Sequence, residues 1–70
     1  MNSIAQFVKD RRKILGITQI ELAEKAGVGL RFIRELEQGK ESLRMDKVNE
    51  VLALFSHELG PVAKKWESGE

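Results

Sequence analysis

"TQIELAEKAGVGLRFIRELEQGK", residues 18–40, is the segment on which the fold turns. Thr18, followed three residues later by Glu21, has the spacing of a capping box, and the acid sits at the positive end of the helix it opens. Ile20, Leu22, Ala23 and Ala26 supply that helix with apolar positions. Gly27 closes it, because a residue without Cβ takes the left-handed conformation at little cost. Only Val28 and Gly29 separate it from a second helical run, about Leu30 to Gln38. There Phe32, Ile33 and Leu36 share one face at helical spacing, while Arg31, Arg34 and Glu35 fall on the other. Gly39 is the next stop signal.

Working outward, Ser3 with Gln6 as its capping-box partner predicts a helix from about Ser3 to Leu15. Its stripe is Ile4, Val8 and then Ile14 or Leu15, with Phe7 beside it and Gly16 at its end. Downstream, KESL is a loop, and a fourth helix is expected from about Met45 to Phe55, striped by Met45, Val48, Leu52 and Phe55. Val51 and Leu54 widen this stripe beyond what one small core needs. In SHELGPV the period changes: Leu59 and Val62 are apolar, and Pro61 bars a helix interior or a central strand. The expected organisation is a helical domain over 1–56, a short strand over 57–62 and a frayed tail over 63–70.

A chain of 70 residues is one small domain, and such a domain buries only about 60% of its unfolded surface. It has no Cys, so no disulfide or thiolate-bound metal staples it. A second copy is the remaining source of stability. The predicted strand lacks a local mate and is best satisfied by the same strand across a two-fold axis, in an antiparallel ribbon whose strands are all edges and so tolerate Pro61. The residues assigned to this homodimer are Val51, Leu54, Phe55, Glu58, Leu59 and Val62. Apolar runs are too short to span a membrane, and MNSIAQFVKDRRK lacks the apolar core of a secretory signal, so a cytoplasmic protein is expected.

The formal charge of +1 excludes a strongly basic protein, although ten of the 12 basic residues lie between Lys9 and Lys47. Seven acids share that span, which leaves one modestly basic region. His57 has no second His and no Cys nearby, so no metal site is expected. Ser3, Ser42, Ser56 and Ser68 lack a His-Asp pattern, and no glycine-rich phosphate loop occurs. Neither an enzyme nor a cofactor is expected.

Two short helices joined by a tight Gly-containing turn within an all-helical bundle define a helix-turn-helix. Ala23 is small where the following helix crosses it, and Val28 and Ile33 pin the turn to the core. The following helix then presents its N-terminal outer residues to a DNA major groove.

Thr18, Gln19, Glu21, Leu22, Ala23, Ala26, Gly27 and Val28, followed by Ile33, Leu36, Glu37, Gly39 and Lys40, resemble the Cro/C1-type (XRE) helix-turn-helix family. The resemblance covers about Phe7 to Phe55. Within that family, residues 11–40 and 43–59 resemble the HipB-type antitoxins, small dimeric repressors encoded beside a HipA-type kinase toxin. This likeness implies an all-α, four-helix domain (lambda repressor-like) with a C-terminal strand paired across a dimer. It implies that Gln19, beside Thr18, holds a DNA phosphate, that Lys40 and Arg44 touch the backbone, and that Arg12 and Glu37 form a structural pair. It places Gly29, Leu30, Arg31, Arg34 and Glu35 at base-reading positions. Gly29 and Leu30 depart from the Gln or Thr frequent in phage repressors. Base reading is therefore arginine-led, since Arg31 and Arg34 can each grip guanine O6 and N7, while Leu30 could touch a thymine methyl.

The resulting expectation is a homodimeric repressor of a palindromic DNA operator that autoregulates as an antitoxin, with a HipA-like kinase toxin as a further partner. Trp66, an aromatic residue in a charged tail, is the candidate anchor for that partner. The alternative is a helix-turn-helix protein-interaction module that does not bind DNA.

Overall fold

The computed structural model describes residues 3–63. Four helices follow in order: α1 (Ser3–Leu15), α2 (Gln19–Ala26), α3 (Leu30–Glu37) and α4 (Met45–Ala53). No strand occurs among the described residues, and the architecture is all-α. Trp66 and the rest of the tail from Lys64 lie outside the described residues. α3 packs against both α1 and α2, and α2 packs against α4. Leu22, Ile33, Val8 and Val51 are the largest fully buried side chains, closed by Ala23, Ala26, Leu36, Val48 and Leu52.

All four helices end in the same hydrogen-bonded device. Gly16, Gly27 and Gly39 take φ values of +72°, +73° and +87°. The next N–H reaches back five residues: Ile17 to the Arg12 carbonyl, Val28 to Ala23 and Lys40 to Glu35. This is the Schellman closure, which satisfies carbonyls the helix leaves orphaned. α4 closes alike without glycine: His57 N–H meets the Leu52 carbonyl at 3.0 Å, and Ser56 takes φ +59°. A side chain in that region is strained, so the end of α4 carries no sequence signal of the usual kind.

Several expected core positions move. The α1 stripe runs through Ala5 and Val8 to the half-buried Arg12, leaving Ile14 and Leu15 at 74% and 56% exposed. Ile20 and Met45 are also exposed. Val51, assigned from sequence to dimerisation, is fully buried in the core and is withdrawn from any interface. The reason is rotational: α4 turns Val48, Val51 and Leu52 inward, which carries Met45 to the outside.

The predicted strand over 57–62 is corrected. After Ser56 the chain folds irregularly back on its own domain. Leu59 is half-buried against the core, and its N–H donates to Asn49 Oδ1 at 2.7 Å. An N–H so committed is not available to a ladder. Phe55 is likewise engaged within the chain, edge-on to Phe7 with ring centroids 6.1 Å apart. Of the other residues assigned to dimerisation, Leu54, Glu58 and Val62 are exposed.

Two substitutions test the helix closures. Ser56→Gly should stabilise the fold by about 0.5–1 kcal/mol, because relief of left-handed strain outweighs the added freedom of the unfolded chain. Gly27→Ala should cost about 1–2 kcal/mol, although an added Cβ there meets nothing within 4 Å, because the penalty is one of backbone conformation. Urea midpoints at unchanged m-value measure both.

Candidate nucleic-acid interface

α3 divides sharply into two faces. Its inner face buries Ile33, Leu36 and the carboxylate of Glu37. On its outer face Arg31 and Arg34 are exposed, the Arg31 side chain to 91%. Glu35 lies among cations, with Oε2 3.4 Å from Arg31 Nε and 3.4 Å from Lys40 Nζ. Exposed pairs of this length contribute about 0–1 kcal/mol, so the arginine remains free to change partner. Lys40 owes its place to the closure of α3, which locks its N–H onto the Glu35 carbonyl at 3.0 Å.

The N-terminal end of α3 is plainer than the sequence suggests. Gly29 is its N-cap and contributes no side-chain cap, leaving the first turn open to close approach. Leu30 does not stand free: it is half-buried and packs against the core, supporting that turn from beneath.

Arg44 is exposed at the N-cap of α4. Its guanidinium forks onto Asp46, at 2.7 Å from Nη2 and 3.2 Å from Nε. The hydrogen bond from Arg44 is the main cause that holds the Asp46 carboxyl below its ordinary value of 3.8. A depressed carboxyl stabilises the fold above that ordinary value, and its contribution is lost as pH falls through the lower, folded one.

The start of α2 is a built corner. Thr18 Oγ1 accepts from Glu21 N–H at 3.1 Å, and Glu21 Oε1 accepts from Thr18 N–H at 2.8 Å. As an acceptor the hydroxyl keeps its own proton to donate. Leu22 N–H closes on the Thr18 carbonyl, so the helix has its first turn while the N–H groups of Gln19 and Ile20 open its positive end.

Glu37 connects this corner to α1 and α3. Its Oε2 accepts from Arg12 Nε at 2.7 Å and its Oε1 from Arg12 Nη2 at 3.0 Å, a two-point fork. Arg12 Nη1 donates to the Ile17 carbonyl at 3.1 Å, tying in the α1–α2 connection. Gln19 Nε2 donates to the same Glu37 Oε1 at 3.1 Å. The Arg12 and Glu37 side chains are only 15% and 2% exposed. The hydrogen bond to Glu37 raises the Arg12 guanidinium above its ordinary value despite burial. The structure thus brings Arg12, Gln19 and Glu37 into one cluster, and sets Arg31, Arg34, Glu35 and Lys40 on an adjoining surface of α3. The bond from Gln19 to Glu37 has no local sequence signal, since eighteen residues separate the partners.

Arg12→Met should destabilise the fold by about 3–5 kcal/mol, because it leaves a buried carboxylate uncompensated. Arg12→Met with Glu37→Leu should cost much less than Arg12→Met alone. A double-mutant cycle on urea midpoints reads the difference.

Two comparisons with known proteins bear on this arrangement. Residues 8–56 match the helix-turn-helix family, a span that takes in all of α2, α3 and α4. The chain is also similar to a protein of Sinorhizobium fredii (strain NBRC 101917 / NGR234) named "Uncharacterized HTH-type transcriptional regulator y4mF". The two are 49% identical over 49 residues, 70% of this chain and 64% of that relative. The chain therefore spans a little under two thirds of the relative's length. With the match running through the capped α2, the Gly27 turn and the two-faced α3, the chain belongs to the helix-turn-helix family of Cro/C1 (XRE) type.

Proposed function

We propose that this protein is a DNA-binding transcriptional regulator that acts as a homodimeric repressor on a palindromic operator. The observation that carries the reading is the division of α3: an inner face fixed in the core, and an outer face that offers Arg31 and Arg34 to solvent. The name of the Sinorhizobium fredii relative, a transcriptional regulator, supports it. α3 enters the major groove, where each arginine fork suits guanine O6 and N7. Glu35 steadies Arg31 and Lys40 between encounters with DNA. Gln19 and Thr18, at the open end of α2, donate to a backbone phosphate, and Lys40 and Arg44 touch the DNA backbone beyond the end of α3. Arg44 exchanges Asp46 for a phosphate when it does so.

Two copies place their α3 helices about one turn of DNA apart, roughly 34–36 Å, and so read a site with two-fold symmetry. The exposed apolar side chains of Leu54 and Val62 support burial against a second copy. Repression is by occupancy of promoter DNA. A HipB-like antitoxin role beside a kinase toxin is the narrower reading, and the resemblance of residues 11–40 and 43–59 supports it. Co-purification with a kinase encoded by the neighbouring gene tests that role.

Selection from a random duplex pool at two salt concentrations should enrich a palindrome, with binding that weakens steeply as salt rises. No enrichment and a flat salt response would favour a protein-interaction module instead. On the selected site, Arg31→Ala should cost about 1–3 kcal/mol and relax one base position per half-site. An unchanged preferred sequence in that variant would remove Arg31 from base reading.

A further inference from the structure

We propose that Glu37 is a positioning residue for DNA binding: its buried carboxylate orients the Gln19 amide toward a phosphate, and Arg12 neutralises the charge that would otherwise oppose that phosphate. The inference rests on the regulator reading above and concerns how its phosphate contact is built.

The chemistry of the amide decides its orientation. A carboxylate only accepts hydrogen bonds, so the Gln19 group that faces Glu37 Oε1 at 3.1 Å is the NH2. Its carbonyl oxygen in that place would set two acceptors against each other. One N–H is thereby committed, and the second is left to donate elsewhere, from a side chain that stands at the start of α2. A phosphate also only accepts, so this second N–H is the side-chain atom that can bind it. Without Glu37 the whole Gln19 side chain is free, and ordering it on the phosphate costs rotamer entropy of the same size as the hydrogen bond it would make.

Charge sets the second requirement. An unpaired carboxylate one side chain behind a phosphate would repel it across a poorly screened interior. Both Glu37 oxygens are met by Arg12, at 2.7 and 3.0 Å, so the carboxylate orients without presenting net charge. Glu37 is only 2% exposed and cannot swing out to relieve a mismatch. The ion pair that holds α1 to α3 thus also sets the phosphate contact at α2, so a change in the core reaches the DNA surface through one side chain.

The test is a cycle on affinity for a duplex selected by the wild-type chain, and for an unrelated duplex. Four proteins are compared: wild type, Gln19→Ala, the pair Arg12→Met with Glu37→Leu, and all three together. Gln19→Ala should weaken both duplexes about tenfold per half-site in the wild-type background, the size of a hydrogen bond to a charged group. In the paired background it should weaken them less than twofold, because the amide there is already unoriented. An equal loss in both backgrounds overturns the proposal and leaves the regulator reading standing, as does a Gln19→Ala that binds like wild type. A wild-type chain that binds no duplex overturns both.

A measurement on the unmutated protein stands if the paired variant fails to fold. In amide-resolved NMR, one Gln19 side-chain proton should exchange slowly and only the other should shift when DNA is added. Gln38, exposed at the end of α3, serves as the free reference. Gln19 protons that both exchange as fast as those of Gln38, or that shift together when DNA is added, would overturn the proposal.

Discussion

The fork between Arg12 and Glu37 is the constraint on which the arrangement of the domain depends. A buried carboxylate is costly to desolvate, and it is retained only if its partner arrives with good geometry and the remaining lone pairs are met. Here Arg12 meets both oxygens, Gln19 meets one of them again, and the third arm of the guanidinium takes the Ile17 carbonyl. These bonds draw on α1, the α1–α2 connection, α2 and α3. Ile33 and Leu36 already prescribe which side of α3 turns inward, and the fork, with its fixed directions, pins that side to α1.

Around this polar clamp the apolar core is thin. Val8, Leu22, Ile33 and Val51 supply its fully buried bulk, with Ala5, Ala23 and Ala26 also buried. Helices of eight or nine residues do not stand alone in water, so each depends on its ends and its neighbours. The repeated Schellman closure answers this need. It satisfies terminal carbonyls, and it sends the chain away at an angle that returns Ile17 and Val28 to the core. At the end of α3 the same closure sets Lys40 on the outer surface near Glu35, so a device of stability also places a cation on that face.

The outer face of α3 is built for exchange. Arg31 and Lys40 share one carboxylate at 3.4 Å, a loose arrangement that costs little to break. Arg44 is more tightly held by Asp46, yet remains exposed. Rigid where it meets the core and loose where it meets solvent, the helix combines a fixed platform with side chains that can take new partners.

Local chemistry made much of this legible in the sequence. The capping box of Thr18 and Glu21, the glycines at 16, 27 and 39, and the apolar spacing of residues 22–36 act over three to five residues, so they declare α1, α2, α3 and the turn between the last two directly. The two faces of α3 follow from helical periodicity alone. Tertiary structure decided the rest. The rotation of α4 buried Val51 and exposed Met45, a choice among near-equivalent stripes that only packing resolves. Ser56 took a left-handed closure that its residue type does not announce, and Asn49 captured the Leu59 N–H, so the expected strand gave way to a segment folded on its own domain. Leu30 was drawn toward the core, and Gln19 was joined to Glu37 across eighteen residues. Each of these depends on partners distant in sequence, and short-range propensity carries no information about them.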